Sequence, residues 1–263
     1  MHIHLLANID DGPPDLPGSI AMLDLASQLG YATIVTTPHL IGPLEDEYEY
    51  LAATRLKELS PHATTRGIEL LSGFEVRLTP DIGRRLRSGE PITLAGSNVV
   101  LVELPFSGWP NFTEQALFDI VVAGFVPLLA HPERYEAAVE QPQRIIDLHS
   151  RGVLMQLTAG SLTGLFGKRA KELAERMLRA GLVEILASDA HSAGRRYMAV
   201  AEGFAHARRI VGPGRVRQLT SDNPMALLSG LSLPAHQPIE STEASDQTRS
   251  RPWRLVRSVL PGR

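Results

Sequence analysis

Apolar residues recur along this chain in two rhythms that take turns. Short, nearly continuous runs rich in β-branched residues predict strands at Tyr31–Thr37, Ile68–Phe74, Asn98–Val102, Phe125–Ala130, Val153–Leu157 and Val183–Ala187. A further strand, first in order, is read at His2-Ile3-His4, where alternate side chains share a face and two imidazoles project together. Between the strands, apolar residues at helical spacing predict helices. Ser19–Leu29 is one (Ile20, Leu23, Leu25, Leu29), stopped by Gly30; acidic Glu45–Leu59 is another, broken by Ser60-Pro61. Thr113–Ala123 follows with Thr113 as cap, then Pro142–Ser150, Lys168–Ala180 closed by Gly181, Ala199–Ile210 and Pro224–Leu228.

Short apolar strands, each followed by a helix, make a parallel α/β architecture. Seven such units in one domain favour a barrel over an open sheet. In a barrel of this kind the chemistry gathers at the C-terminal ends of the strands. Six of the seven predicted strands end there in a side chain of metal-ligand type: His2 and His4, His39, Glu75, Glu103, His131, and Asp189 with His191. Taken singly, each has an ordinary reading, Glu75 or Glu103 as a rim salt bridge and His39 as a turn histidine. Taken together, their regular placement points to a metal centre. The pair Asp10-Asp11 in the first turn offers a further carboxylate.

Composition narrows the chemistry. The chain has 263 residues, 43% of them hydrophobic, and a net charge of −3, which suits a globular protein without a nucleic-acid footprint. It contains no cysteine, so any metal sits on imidazole and carboxylate, which favours Mn, with Fe or Zn as alternatives. No apolar run reaches membrane-spanning length and the first residues lack a signal-peptide pattern, so a cytoplasmic protein is expected.

Seven segments also resemble a family: Ile9-Asp-Asp-Gly12, Thr37-Pro-His39, Gly73-Phe-Glu75-Val76, Glu103-Leu-Pro105, Ala130-His-Pro-Glu-Arg134, Gln156-Leu-Thr-Ala-Gly-Ser161 and Ser188-Asp-Ala-His191. They are similar, in order and spacing, to the bacterial tyrosine-protein phosphatases of the polymerase-and-histidinol-phosphatase (PHP) superfamily that act in capsule and exopolysaccharide regulation. The resemblance implies a distorted (β/α)7 barrel of the PHP type over residues 1–230, holding up to three divalent ions. It implies that His2, His4, Glu75 and Asp189 hold one ion, that Glu75 bridges to a second shared with Glu103 and His131, and that Asp11, His39 and His191 hold the third. Asp10 competes with Asp11 for that place. Arg134 is the expected phosphate-binding residue, with Arg195 or Arg196 as a second, because the guanidinium fork engages two oxygens at once; a rim salt bridge from Arg134 to Glu133 or Glu136 is the alternative. Phe106 and Trp109 line a substrate entrance or pack as a hydrophobic loop.

The implied function is hydrolysis of phosphotyrosine by a metal-bound hydroxide, on a partner such as a polysaccharide-assembly tyrosine kinase. Two ions about 3.5–4 Å apart both neutralise phosphoryl oxygens and supply the nucleophile, and without cysteine a phosphocysteine route is closed. A small-molecule phosphoesterase such as a histidinol phosphatase and a non-catalytic phosphoprotein-binding regulator are the competing functions, and an oligomer is compatible with all three.

Two features depart from the family. Met1 directly precedes His2, where members usually carry a few more residues, which predicts a clipped first strand and a loosened hold on His2. Ala7-Asn8 stands in place of the usual Pro-Gly turn. Residues 231–263 lack apolar periodicity between Pro234 and Ser250 and end in a basic stretch from Arg251 to Arg263, so a disordered tail is expected.

Overall fold

The computed structural model of the chain describes residues 1–233, without the side chains of Arg195 and Arg196; the expected tail lies outside the described residues from 234 onward. Six strands form one parallel sheet in the order β2 (His39–Leu40), β4 (Glu75–Arg77), β5 (Val99–Glu103), β6 (Val126–Ala130), β7 (Leu154–Thr158) and β8 (Ile185–Ala187). Beside it, β1 (Thr33–Val35) pairs in parallel with β3 (Glu69–Leu71). The predicted strands Tyr31–Thr37 and Ile68–Phe74 thus contain β1 and β3, each followed after a break by a further strand, β2 or β4, and Glu75 opens β4 rather than following a strand end. The break is slight, since Thr36 N–H donates to Leu71 O and Glu75 N–H to Pro38 O across it.

Residues 2–4 form no regular strand, which corrects the expectation, yet they close the wall. Asp189 N–H donates to His2 O, His4 N–H to Ala190 O, and Thr37 N–H to Ile3 O, each at 3.0 Å. With this segment between β8 and the β1–β2 arm, seven strand positions complete a distorted (β/α)7 barrel. The closure reaches only the C-terminal half of the wall. Below it lies a cavity of about 270 Å³ lined by Ile3, Ile34, Ile185 and Leu228 among others.

Alternation along the strands sorts the core into two. Val99, Leu101, Leu128, Ala130, Ile185 and Ala187 pack together with Val35 inside the barrel, while Val100, Val102, Leu129 and Leu186 join the larger core under the helices. Burial on both faces is what a helix-covered parallel sheet demands and explains the unbroken apolar runs.

The helices are α1 (Leu16–Gln28), α2 (Asp46–Thr64), α3 (Ile82–Arg87), α4 (Thr113–Val122), α5 (Glu136–Glu140), α6 (Gln143–Ser150), α7 (Lys168–Arg179), α8 (Arg195–Arg217) and α9 (Asn223–Leu228). Helix α1 starts earlier than expected because the Asp15 side chain caps it by accepting Gly18 N–H. Helix α2 runs through Ser60-Pro61 instead of stopping there: buried Leu59 and Ala63 hold the last turns to the core, and Ser60 Oγ donates to Leu56 O. Thr113 is the first helical residue of α4 and Phe112 takes the cap position. No helix among the described residues is long and apolar enough to cross a membrane.

Candidate metal centre

The inward alternation carries straight into the rim. Glu103 continues the face of Val99 and Leu101; Asp189 that of Ile185 and Ala187; His39 that of Val35. His2 and His4 flank Ile3, which faces the outer core. His131 is out of phase after Ala130, and a left-handed backbone at His131 (φ 33°) turns its ring back to the interior; Asp189 has the same handedness (φ 48°). Such conformations are costly for side-chain-bearing residues and cluster at functional sites.

All nine expected residues meet in one connected cluster. Glu75 is its hub: Oε1 lies 3.0 Å from His131 Nε2 and 3.3 Å from His2 Nε2, and Oε2 lies 3.0 Å from His39 Nδ1 and 3.3 Å from His4 Nε2. Glu103 stands 3.8 Å from His131 and 3.9 Å from His39. Asp189 Oδ1 is 3.3 Å from His2 Nε2. Asp11 reaches His191 Nε2 at 3.3 Å and His39 Nε2 at 3.5 Å. The His191 ring stacks on His4 with centroids 3.8 Å apart.

Four overlapping ligand sets have their donor atoms within 4.8 Å of one another: His4, Asp11, His39 and His191; His2, His4 and Asp189; His2, Glu75 and His131; and His39, Glu75 and Glu103. The set expected for a third ion recurs with His4 added, and the partners expected around Glu75 divide between two sets. The donors are all imidazole nitrogen or carboxylate oxygen, and Glu75 Oε2 is buried without a hydrogen-bond partner. A buried acceptor left in that state is costly unless a cation or donor serves it, so the residues fit divalent ions.

A second layer fixes the rings. His2 Nδ1 meets Gln156 Oε1 at 2.6 Å, and His4 Nδ1 meets Asp10 Oδ2 at 2.6 Å. Asp10 also accepts from the amides of Gly12 and His39. The acidic pair is thereby divided: Asp10 orients His4, and exposed Asp11 faces the cluster. Asn8 takes a left-handed backbone (φ 51°) in the intervening turn, a role asparagine tolerates in place of glycine. The loosened hold expected for His2 is not seen, since its side chain is fully buried and tied to Gln156.

Burial alone would raise Glu75, but the imidazoles of His2, His131 and His39 outweigh it and hold the carboxyl well below its ordinary value. Glu103 goes the other way, raised by burial and by the charge of Glu75. Burial would lower His4, yet its hydrogen bond to Asp10 and the Glu75 carboxylate beside it push it up to about 10.

Arg134 pairs with neither Glu133 nor Glu136: its Nη1 donates to Asp189 Oδ2 at the cluster. Glu133 is occupied instead by Ser161 Oγ and Thr158 N–H. The side chains of Arg195 and Arg196 lie outside the described residues. Phe106 stands at the rim beside His131, while Trp109 is tucked against the core and donates to Glu114. His149 and His206 pair with Glu184 and Glu175 away from the cluster, as ordinary surface histidines do. Sequence reading assigned no role to Gln156, which sits in the middle of β7, the one strand without an ionisable terminus. Its signal was the inward phase of Leu154, Gln156 and Thr158.

Fold and rim define a class: an α/β-barrel protein with a candidate polynuclear metal centre at its C-terminal mouth. The family model for capsular polysaccharide synthesis, CpsB/CapC, matches residues 1–229, and the chain belongs to that family. Tyrosine-protein phosphatase YwqE of Bacillus subtilis is 32% identical over 194 residues, 73% of this chain and 76% of the relative. Tyrosine-protein phosphatase CpsB of Streptococcus agalactiae is 27% identical over 236 residues, 87% of this chain and 97% of the relative. Among solved structures, one described as YwqE from Bacillus subtilis and CpsB from Streptococcus pneumoniae, unique metal-dependent tyrosine phosphatases, matches at a TM-score of 0.81 and 30% identity, covering 91% of this chain and 98% of that chain. A phosphotriesterase homology protein from Escherichia coli matches at a TM-score of 0.53 and 11% identity, a likeness of fold alone.

Proposed function

We propose that this chain is a metal-dependent protein-tyrosine phosphatase acting in the cytoplasm on a tyrosine-phosphorylated protein, a kinase of polysaccharide assembly. The observation that carries the reading is the hub of Glu75, whose two oxygens each face two imidazoles within 3.3 Å while one of them lacks a hydrogen-bond partner. His2, His4, Asp11, His39, Glu75, Glu103, His131, Asp189 and His191 would hold up to three divalent ions, Mn foremost. When bound, such ions neutralise phosphoryl oxygens and acidify a coordinated water, which is what a slow phosphate monoester requires.

The remaining work falls to the chain. Gln156 and Asp10 fix the tautomers and tilt of His2 and His4, so that Nε2 of each faces the centre. Arg134, poised on Asp189, offers its remaining N–H groups to the phosphate of the substrate. Arg77 Nη2, 2.9 Å from Glu103 Oε2, offsets the negative charge on the outer side of the cluster. The exposed flank of Asp11 leaves an approach open to a side chain carried on a protein surface.

The test combines metal analysis with turnover. Protein purified without chelator should contain transition metal and hydrolyse a phosphotyrosyl peptide with a higher kcat/KM than histidinol phosphate. His131→Ala and Asp189→Ala should each abolish turnover and keep a cooperative melt. Absence of metal together with no turnover on added Mn would refute the enzyme reading.

A further inference from the structure

The guanidinium of Arg134 lies between two aromatic rings. Its Cζ is 4.6 Å from the centroid of Phe106 and 4.1 Å from that of Phe166, within cation–π range of both. Each ring is placed by its own element. Phe166 follows the turn after β7, where the bare backbone of Gly160 admits it; a Cβ there would stand 3.3 Å from a Phe166 ring atom. Phe106 follows β5, and its carbonyl accepts the Glu136 amide at 3.0 Å. Phe106 makes a second contact as well: its ring lies 5.4 Å from the His131 ring, and it remains 42% exposed at the mouth of the cluster. Phe106 thus touches the candidate phosphate-binding arginine and a candidate ligand while keeping area open to what enters.

We propose that Phe106 is a specificity-determining residue, its open area stacking on the aromatic ring of an aryl phosphate ester, whereas Phe166 serves to orient Arg134. The proposal rests on the phosphatase reading above. In an aryl phosphate the ring is one oxygen away from phosphorus, so a phosphate engaged by Arg134 at the rim brings its ring to the neighbourhood of His131, where Phe106 stands. An alkyl ester has no π face to offer and gains nothing there. Stacking that favours one ester class over the other raises selectivity by differential binding of the two.

The test uses the full chain supplied with Mn and two ligands that cannot be hydrolysed, phenylphosphonate and methylphosphonate, with affinities read by calorimetry. Phe106→Ala should weaken phenylphosphonate roughly tenfold more than it weakens methylphosphonate, while Phe166→Ala should weaken both alike. In turnover, Phe106→Ala should lower kcat/KM for a phosphotyrosyl peptide roughly tenfold more than for the phosphoseryl peptide of the same sequence. Should Phe106→Ala melt early, Phe106→Tyr (selectivity kept) against Phe106→Leu (selectivity reduced) makes the same comparison. Equal losses for both phosphonates, or none for either, would overturn the role of Phe106 and leave the phosphatase reading standing. Wild-type protein that binds neither phosphonate and hydrolyses neither peptide overturns both.

Discussion

Gln156 holds His2 without touching the ion site. A neutral amide oxygen at 2.6 Å from Nδ1 sets which ring nitrogen faces inward, and the aspartate of the first turn does the same for His4. Such partners commonly govern affinity by one to two orders of magnitude. Gln156→Ala should therefore weaken Mn binding about 10–100-fold with little loss of stability, measured by competition against a chromophoric chelator. Unaltered affinity would remove the orienting role. At this scale the sequence was informative where phase is simple: Glu103 and Asp189 follow inward residues two positions back. Its guidance ended where local backbone decides, as at His131, returned to the interior by a positive φ, and in the acidic pair, whose division between outer and inner roles depends on the fold of one turn.

Among the elements, long periodic helices were legible, and of the short ones α9 was expected while α3 and α5 were not. Helices α3 and α5 span 6 and 5 residues, too few for an apolar period to show. Pro61 misled because tertiary burial of Leu59 and Ala63 outweighed the loss of one helical hydrogen bond. Two close fits make strong predictions. Gly203 brings α8 against the turn after β7, where a Cβ would stand 2.1 Å from Ala159 O, a backbone atom that cannot rotate away. Gly203→Ala should lower stability by ~3 kcal/mol in a denaturant melt.

At the end of α3, buried Arg85 forks onto Glu90 at 2.7 and 2.8 Å, and Glu90 also accepts the Leu44 amide. Burial would raise Glu90, but Arg85 and the Leu44 amide outweigh it and lower the carboxyl below its ordinary value of 4.5. A depressed folded pKa contributes stability that is present above the unfolded value and is lost as pH falls through the folded one. Glu90→Gln should accordingly cost about 2 kcal/mol near neutral pH. The gap to wild type should narrow as thermal melts are taken below pH 4.5. A gap that holds constant with pH would contradict the ion-pair account.

For the molecule as a whole, the candidate ligands come from residue 2 to residue 191, so ions bound among them tie nearly the full barrel together. A ligand at a hundred times its dissociation constant stabilises the folded state by about 2.7 kcal/mol. Removing metal with a chelator should thus lower Tm, restore it on adding Mn, and raise hydrogen exchange first along residues 1–4 and 185–190. A melt indifferent to chelation would mean that the cluster is held by its own hydrogen bonds. The barrel itself was legible from the count of alternating units. The half-closed seam was not, because its pairing is between irregular segments at the two extremes of the fold.

That seam has a consequence for biogenesis. Ser188 Oγ donates to His2 O across a separation of 186 positions, and the amide bonds beside it are just as remote. Residues 2–4 are made long before the strand at 185–187 and must wait for it before they find their place, so this part of the wall is locked late by what was made early. Contacts this distant slow folding. A chain stalled short of residue 190 would present two unpaired strand edges to its neighbours, and assembly of this protein should depend on translation finishing faster than those edges associate.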